Sequence, residues 1–379
     1  MAMKDSIVVG LVSDERYFPG LFVTIVSVLL STKTTKQIDF HVIDTGIQDN
    51  SWNCLEQTLK KFSSKVSLFR HKLDLSAFSD LPKWKFGSHA VYARFLFLDL
   101  VKAPQIIYLD VDLLFGRDIE ELWNIDFENH VLFSVGDKAF PCESKDKEFS
   151  NTMDHDGFFE GKPLCDLYGI PRDAKYFGGG LLKFNVDLWN ERKITEKCFE
   201  FARKHKGQFK FNDQTMMNFL LWDQSKFLSY EYNNYMWYSG VGFSDQLVLH
   251  YTFDIKPWMY DFGDSGILVL SVYNDLLKRL PLDLRWDSLP IKIFLGLKAR
   301  KFLIDFPLVS LFLFRAKSFY FFIKGNFPEY RKAKAAAIYF HTIFKNKRKL
   351  EFIENQKKFV SLWSRKLSRL DVLLARADR

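Results

Sequence analysis

Short β-branched runs alternate with helix-length apolar patterns through the first two thirds of the chain. Ile7-Val8-Val9-Gly10-Leu11-Val12 reads as a strand and, after Pro19-Gly20, Leu21 to Leu30 reads as a helix. Ile38 to Ile43 is the next strand, Trp52 to Phe62 a helix, Val66 to Arg70 a strand and Ala90 to Leu100 a helix. Gln105 to Leu109 is near-continuously apolar, as a buried strand should be, and runs directly into Asp110-Val111-Asp112. A βαβ series of this kind predicts a mainly parallel sheet covered on both faces. Val131 to Val135 reads as a further strand, and the polar stretch Glu143 to Pro163 as an insertion or loop that shapes a site. Phe177 to Phe184 is a strand entered through Gly178-Gly179-Gly180, Val186 to Phe201 has helical spacing, and Thr215 to Trp222 is a helix with Asn212 or Asp213 as its N-cap. Near residue 280 the alternation gives way to Lys, Arg, Phe and Leu, which places an α/β domain over 1–280 and a basic, aromatic, helical tail over 281–379.

With 379 residues, 47% of them hydrophobic, and only 19 Gly and 11 Pro, the chain can bury a large core and is neither disordered nor collagen-like. Its net charge of +8 is unevenly placed. Residues 291–379 hold 21 Lys and Arg against 6 Asp and Glu, a local net of +15, which leaves −7 for residues 1–290. Cys54, Cys142, Cys165 and Cys198 show neither a CxxC pair nor metal spacing, so reduced thiols and a cytoplasmic setting are expected. The opening residues carry no secretion-signal pattern. Leu21 to Leu30 is too short to span a membrane, and Phe302 to Ile323 is interrupted by Asp305, Pro307, Arg315 and Lys317.

Asp110 and Asp112 flank Val111, so an extended chain would present both carboxylates on one face, at the carboxyl end of a buried strand where open α/β sheets bind ligands. Two such carboxylates repel unless they share a cation, and their oxygens suit Mn²⁺ or Mg²⁺, with a diphosphate as the companion ligand. Taken alone, the pair is equally an acidic strand terminus. His250 is followed six residues later by Lys256: an imidazole can complete an oxygen-rich metal shell and a lysine can offset charge on a departing phosphate, or the pair is a core histidine beside a surface lysine. Gly178-Gly179-Gly180 has no P-loop or dinucleotide context and reads as a close-packed glycine strand. Asp213 reads as a helix cap and Arg94 as an ion-pair partner on a helix surface, each with an alternative role in a site.

Several of these segments, in order, resemble glycosyltransferase family eight, which includes glycogenin and bacterial lipopolysaccharide galactosyl- and glucosyltransferases. They are Val9 to Leu30, Tyr92-Ala93-Arg94-Phe95, Tyr108-Leu109-Asp110-Val111-Asp112, Tyr176 to Phe184, Asn212-Asp213-Gln214 and His250 to Trp258, together covering roughly residues 6–260. The resemblance implies a type A nucleotide-sugar-binding glycosyltransferase fold with a central mixed, mainly parallel sheet. It implies that Asp110, Asp112 and His250 hold Mn²⁺ or Mg²⁺ against the diphosphate of a UDP-sugar donor such as UDP-glucose or UDP-galactose. It further implies Lys256 on that diphosphate, Val12 and Asp14 near uridine, Arg94 and Asp137 near the sugar, and Asp213 with Gln214 beside the reacting carbon, for transfer with retention of configuration. Gly178 stands where the family often has Asn, and Phe253 where it usually has Gly, so the donor hexose stays open.

The tail interleaves aromatic runs such as Phe319 to Ile323 with basic runs such as Lys345 to Lys349, a composition suited to amphipathic helices on an anionic membrane surface or to a bundle packed on protein. Nucleic acid is not expected, since no recognition motif accompanies the charge. The expectation is a hexosyltransferase acting on a lipid-linked saccharide such as lipopolysaccharide core, peripheral on the cytoplasmic membrane face. The alternative is a noncatalytic peripheral membrane or polyanion-binding protein on the same fold.

Overall fold

A computed structural model describes residues 6–63, 65–83, 89–137, 166–171, 174–206, 212–235, 247–252, 256–260, 268–282 and 348–375. The polar stretch Glu143 to Pro163 and the aromatic and basic run of residues 291–347 lie outside them. The chain divides into two compact units, one of residues 1–234, 246–250 and 369–379, the other of residues 235–245 and 251–368.

The first unit is a seven-stranded sheet with the order β3-β2-β1-β4-β7-β6-β8. β1 (Ile7–Ser13), β2 (Ile38–Asp44), β3 (Val66–Lys72) and β4 (Gln105–Leu109) run parallel to one another, with Gly10 opposite Tyr108 in the β1–β4 pair. β6 (Leu132–Gly136) and β8 (Ser225–Leu228) are also parallel. Between these two groups β7 (Phe177–Asn185) lies antiparallel to both β4 and β6, so the sheet is mixed and mainly parallel. The strands read from the pattern recur with boundaries moved by a residue or two. The expected helix over Ala90 to Leu100 is instead a 3₁₀ segment, Ala90–Leu96, followed by the short α3 (Phe97–Leu100). The single helix expected over Val186 to Phe201 is two, α5 (Val186–Glu191) and α6 (Ile194–Lys204), because Lys193 adopts φ +52° and breaks the ladder.

α1 (Phe18–Ser31) is apolar on nearly every side and buried accordingly. Three polar side chains at i, i+3 and i+7 nevertheless interrupt it. Thr24 Oγ1 donates to the Leu113 carbonyl at 2.9 Å, Ser31 Oγ donates to the Phe115 carbonyl at 2.6 Å, and Ser27 Oγ accepts the Phe115 N–H at 2.9 Å. These hydroxyls satisfy one edge of β5 (Leu113–Phe115), whose other edge pairs antiparallel with β10 (Val248–His250), Leu114 opposite Leu249. The strand that follows Asp112 is thereby locked between a helix face and the strand that carries His250.

In the second unit, α8 (Leu268–Arg279) buries Tyr273, whose ring meets Tyr251 edge-on at 4.8 Å and Trp258 at 6.2 Å. Tyr251 donates its hydroxyl to the Val269 carbonyl and Asn274 its amide to the Pro257 carbonyl. In α9 (Arg348–Ala375), whose residues from 369 on belong to the first unit, Phe359, Trp363, Leu367 and Leu370 are each buried, at helical spacing. No helix among the described residues is long and apolar enough to cross a membrane.

Replacing Ser27 with Ala removes the acceptor of a buried N–H in β5 and should cost about 1–3 kcal/mol of stability in urea denaturation. Ser368→Ala, at an exposed bond to the Ser364 carbonyl one turn back, should change it by less than about 0.5 kcal/mol.

Candidate active site

β1 and β4 point their carboxyl ends to the same edge of the sheet, and the chemistry-bearing residues collect there. Val12 and Asp14 end β1; Val12 is half-buried, and Asp14 caps the next turn by accepting the Tyr17 N–H at 2.9 Å. β4 delivers Asp110 and Asp112. The expectation that an extended chain carries both carboxylates on one face does not hold, because Val111 and Asp112 form a turn rather than continuing the strand. The turn still brings the side chains together: one ligand atom from each of Asp110, Asp112 and His250 lies within 4.8 Å of the other two.

His250 Nε2 is 3.0 Å from Asp112 Oδ1 and 3.8 Å from Asp110 Oδ2, while its Nδ1 meets Asn233 Oδ1 at 2.9 Å. Asn233 carried no signal in the sequence: it is one polar residue in an irregular run. Asp110 is anchored in three ways. Its N–H donates to the Gly180 carbonyl at 2.8 Å, the Tyr108 hydroxyl donates to Oδ1 at 2.8 Å, and Arg94 NH2 lies 3.3 Å from Oδ1. Two carboxylates and one imidazole nitrogen facing a common point form a donor set that fits a hard divalent cation.

Arg94 is not on a helix surface; it is 6% exposed and stacks over the Tyr108 ring at 4.4 Å. Nε pairs with Asp213 Oδ2 at 2.9 Å, NH1 donates to the Gly179 carbonyl at 2.7 Å, and NH2 reaches Asp110. Asp213 lies in the first turn of α7 (Asn212–Leu221), where burial pushes its pKa up from 3.8 to about 6 against the opposing pull of Arg94. Gln214, the next residue, accepts the Gly179 N–H at 2.9 Å and donates to Asp137 Oδ2 at 2.8 Å. Asp137 itself follows β6 and is held by its N–H on the Tyr176 carbonyl.

The glycines of β7 are what allow these side chains to converge. A Cβ on Gly179 would meet Arg94 NH1 at 3.0 Å, and one on Gly180 would fall 2.2 Å from His250 Cε1. The close-packed reading of the glycine run is the correct one. Lys256, the remaining residue singled out from the sequence, belongs to the second unit, where it is buried and donates Nζ to the Tyr251 carbonyl at 2.9 Å. Asp254 and Phe253 fall outside the described residues.

Because Asp213 binds its proton more tightly when folded, its contribution favours the native state below about pH 4 and is lost as the pH rises to about 6. The stability difference between Asp213→Asn and the parent protein should therefore move in the variant's favour across that window and level off above it. Paired denaturant titrations at pH 4, 5, 6 and 7 check this; a shift toward the parent would mean the Arg94 pairing outweighs burial.

Comparison with known proteins bears on what this edge is for. A Haemophilus influenzae protein is 28% identical over 223 residues, covering 58% of this chain and 61% of its own length, so the chain spans less than two thirds of that relative. The lipopolysaccharide 1,2-glucosyltransferase of Escherichia coli K12 is 25% identical over 259 residues, 65% of this chain and 70% of the enzyme. Among solved structures, galactosyltransferase LgtC in complex with donor and acceptor sugar analogues superposes with a TM-score of 0.58 at 19% identity, over 77% of this chain and 100% of LgtC. That likeness shows the type A fold. The model of glycosyl transferase family 8 matches residues 8–261, which contain every residue named at this edge of the sheet, and the chain belongs to that family.

Proposed function

We propose that the chain is a metal-dependent, retaining glycosyltransferase that moves a hexose, glucose or galactose, from a UDP-sugar to a saccharide acceptor. The observation that carries this reading is the convergence of Asp110, Asp112 and His250 at the carboxyl edge of the sheet in a family 8 chain. Those three residues would hold Mn²⁺ or Mg²⁺, which when bound supplies positive charge beside the donor's diphosphate. Val12 and Asp14 stand at the end of the adjacent strand and receive the uridine. Asp110, tied down by the Gly180 carbonyl, the Tyr108 hydroxyl and Arg94, keeps its Oδ2 on the side of His250 Nε2, at the shared site, without reorganising.

Arg94 and Asp137 orient the sugar, and Asp213 with Gln214 line the reacting carbon. Their mutual bonds support that grouping: Arg94 to Asp213, Gln214 to Asp137, and both Arg94 and Gln214 to the backbone of Gly179. Each side chain is held by protein contacts before a donor arrives, which is the preorganisation that charge development in a transition state rewards. Lys256 offsets negative charge on the departing UDP. No side chain is assigned as a covalent nucleophile; attack by the acceptor on the face the leaving group vacates gives retention without one.

The acceptor is a lipid-linked saccharide of the lipopolysaccharide-core type, in line with the Escherichia coli relative, and the basic tail brings the enzyme to the cytoplasmic membrane face. The tail in question is residues 291–379, within which Phe359, Trp363, Leu367 and Leu370 are already buried and so are not the side chains that would meet the membrane.

Hydrolysis of a UDP-hexose panel should depend on added Mn²⁺ and should be lost in Asp110→Ala; metal-independent turnover would overturn the metal role, and no turnover with any donor would favour the noncatalytic reading. Lys256→Ala should lower turnover about a hundred- to a thousandfold, equivalent to about 3–4 kcal/mol of barrier, with donor affinity changed far less. For the tail, truncation would strip buried side chains from the core, so charge reversal is the cleaner probe. Changing Lys345, Lys347, Arg348 and Lys349 to Glu should weaken sedimentation with anionic liposomes while leaving donor hydrolysis intact, and raising salt from about 0.1 M to 1 M should weaken the parent's binding likewise.

A further inference from the structure

A histidine can present a lone pair at only one ring nitrogen, and only if the other carries the proton. In this protein two neighbours outside the acidic pair decide which. Asn233 is 2% exposed, and its Oδ1 lies 2.9 Å from His250 Nδ1. An amide oxygen accepts and cannot donate, so this contact requires the proton on Nδ1. Nε2 is then the nitrogen that faces the aspartates, with Asp112 Oδ1 at 3.0 Å and Asp110 Oδ2 at 3.8 Å, and the one whose lone pair a cation at that point would take. A ring with its proton on Nε2 alone would leave Asn233 Oδ1 without its donor, at a cost of about 1–3 kcal/mol for a buried acceptor.

Orientation about the ring plane comes from the other side. Gly180 backs the imidazole so closely that a methyl group there would sit 2.2 Å from Cε1 and 2.6 Å from Nδ1. No L side chain fits without turning the ring, and turning the ring breaks the Asn233 bond. Gly180 cannot yield readily either: its carbonyl accepts the Asp110 N–H at 2.8 Å, which couples the wall behind His250 to the backbone of an aspartate in front of it.

We propose that Asn233 and Gly180 are positioning residues that hold the His250 imidazole by its Nδ1–H, so that Nε2 is the nitrogen aimed at the point shared by Asp110 and Asp112. The inference deepens the metal reading of the site and rests on it for its consequence, a donor set built before the ion arrives. Outer partners of this kind, a carbonyl or carboxylate on the far nitrogen of a ligating histidine, fix the ring's tautomer and typically change metal affinity ten- to a hundredfold when removed.

The test separates the tautomer from the metal. In the metal-free, full-length protein labelled with ¹⁵N-histidine, and with the His250 resonances identified by their loss in His250→Gln, Nδ1 should report a bound proton, whether or not Nε2 also carries one. Asn233→Ala should shift His250 toward the Nε2–H form, whereas Asn233→Asp, which keeps an acceptor at the same place, should retain Nδ1–H. If Asn233→Ala does not fold, the nearly isosteric Asn233→Leu takes its place. Titration with Mn²⁺, followed by the electron paramagnetic resonance of the free ion, should show affinity falling about ten- to a hundredfold in Asn233→Ala, restored to within a few-fold by Asn233→Asp, and falling in Gly180→Ala as well. An unchanged tautomer in Asn233→Ala, or Asn233→Asp as weak as Asn233→Ala, would overturn the role given to Asn233. Parent-like affinity in Gly180→Ala would overturn the role given to Gly180. Should Asp110→Ala bind Mn²⁺ as the parent does, the metal reading itself fails, and the tautomer measurement still decides the inference.

Discussion

The carboxylates of Asp110, Asp112 and Asp213 are among those drawn to one edge of the sheet, and the buried guanidinium of Arg94 reaches two of them, Asp110 and Asp213. Buried charge of one sign is unstable unless it is balanced, and the balance here is incomplete: Arg94 spans Asp213 and Asp110, while Asp112 is met by the imidazole of His250. The electrostatic deficit at the point where Asp110, Asp112 and His250 converge is what makes a divalent cation the fitting occupant. Much of the surrounding architecture serves to hold these side chains in place despite their mutual repulsion.

That holding is done largely by backbone. β7 enters antiparallel between two parallel groups of strands, and its glycines leave room for Arg94 at Gly179 and for His250 at Gly180. β5 is too short to be secure by itself, and it gains its partners from the hydroxyls of Thr24, Ser27 and Ser31 on one edge and from β10 on the other. Asp112 at the start of β5 and His250 at the end of β10 are thus fixed by the same small ladder, in which His250 lies opposite Leu113. The energy of the site is stored in pairing that begins in α1, about ninety residues before the aspartates it serves.

Residue types and spacing made the parallel strands legible, because alternation of apolar runs reports burial; the aspartate pair and the closing histidine were ambiguous by themselves and became legible through the order of segments that resembles the family. Other features were hidden for physical reasons. The turn at Val111–Asp112 escapes a period-two argument, since the pattern reports which side chains are apolar and not where a strand stops. The break at Lys193 depends on one positive φ in a residue that ordinarily favours helix. Arg94 looked like a surface residue because a buried guanidinium becomes intelligible only once Asp213, 119 positions later in the sequence, is brought against it. Asn233 gave no signal at all, since its importance lies in one hydrogen bond to a ring 17 residues away. The α1 hydroxyls did carry a trace, polar residues at helical spacing in an apolar helix, which the length and apolarity of the run obscured.

The central claim is that the three side chains form one cation site beside a nucleotide diphosphate. An anomalous-scattering map from crystals grown with Mn²⁺ and UDP tests it most directly. The account predicts one strong peak in contact with Asp110, Asp112 and His250 Nε2, at about 2.0–2.3 Å from the ligating atoms, with diphosphate oxygens completing the shell. A Mn²⁺ peak elsewhere on the protein, with UDP bound at this edge and His250 Nε2 hydrogen-bonded to Asp112 in its place, would contradict it.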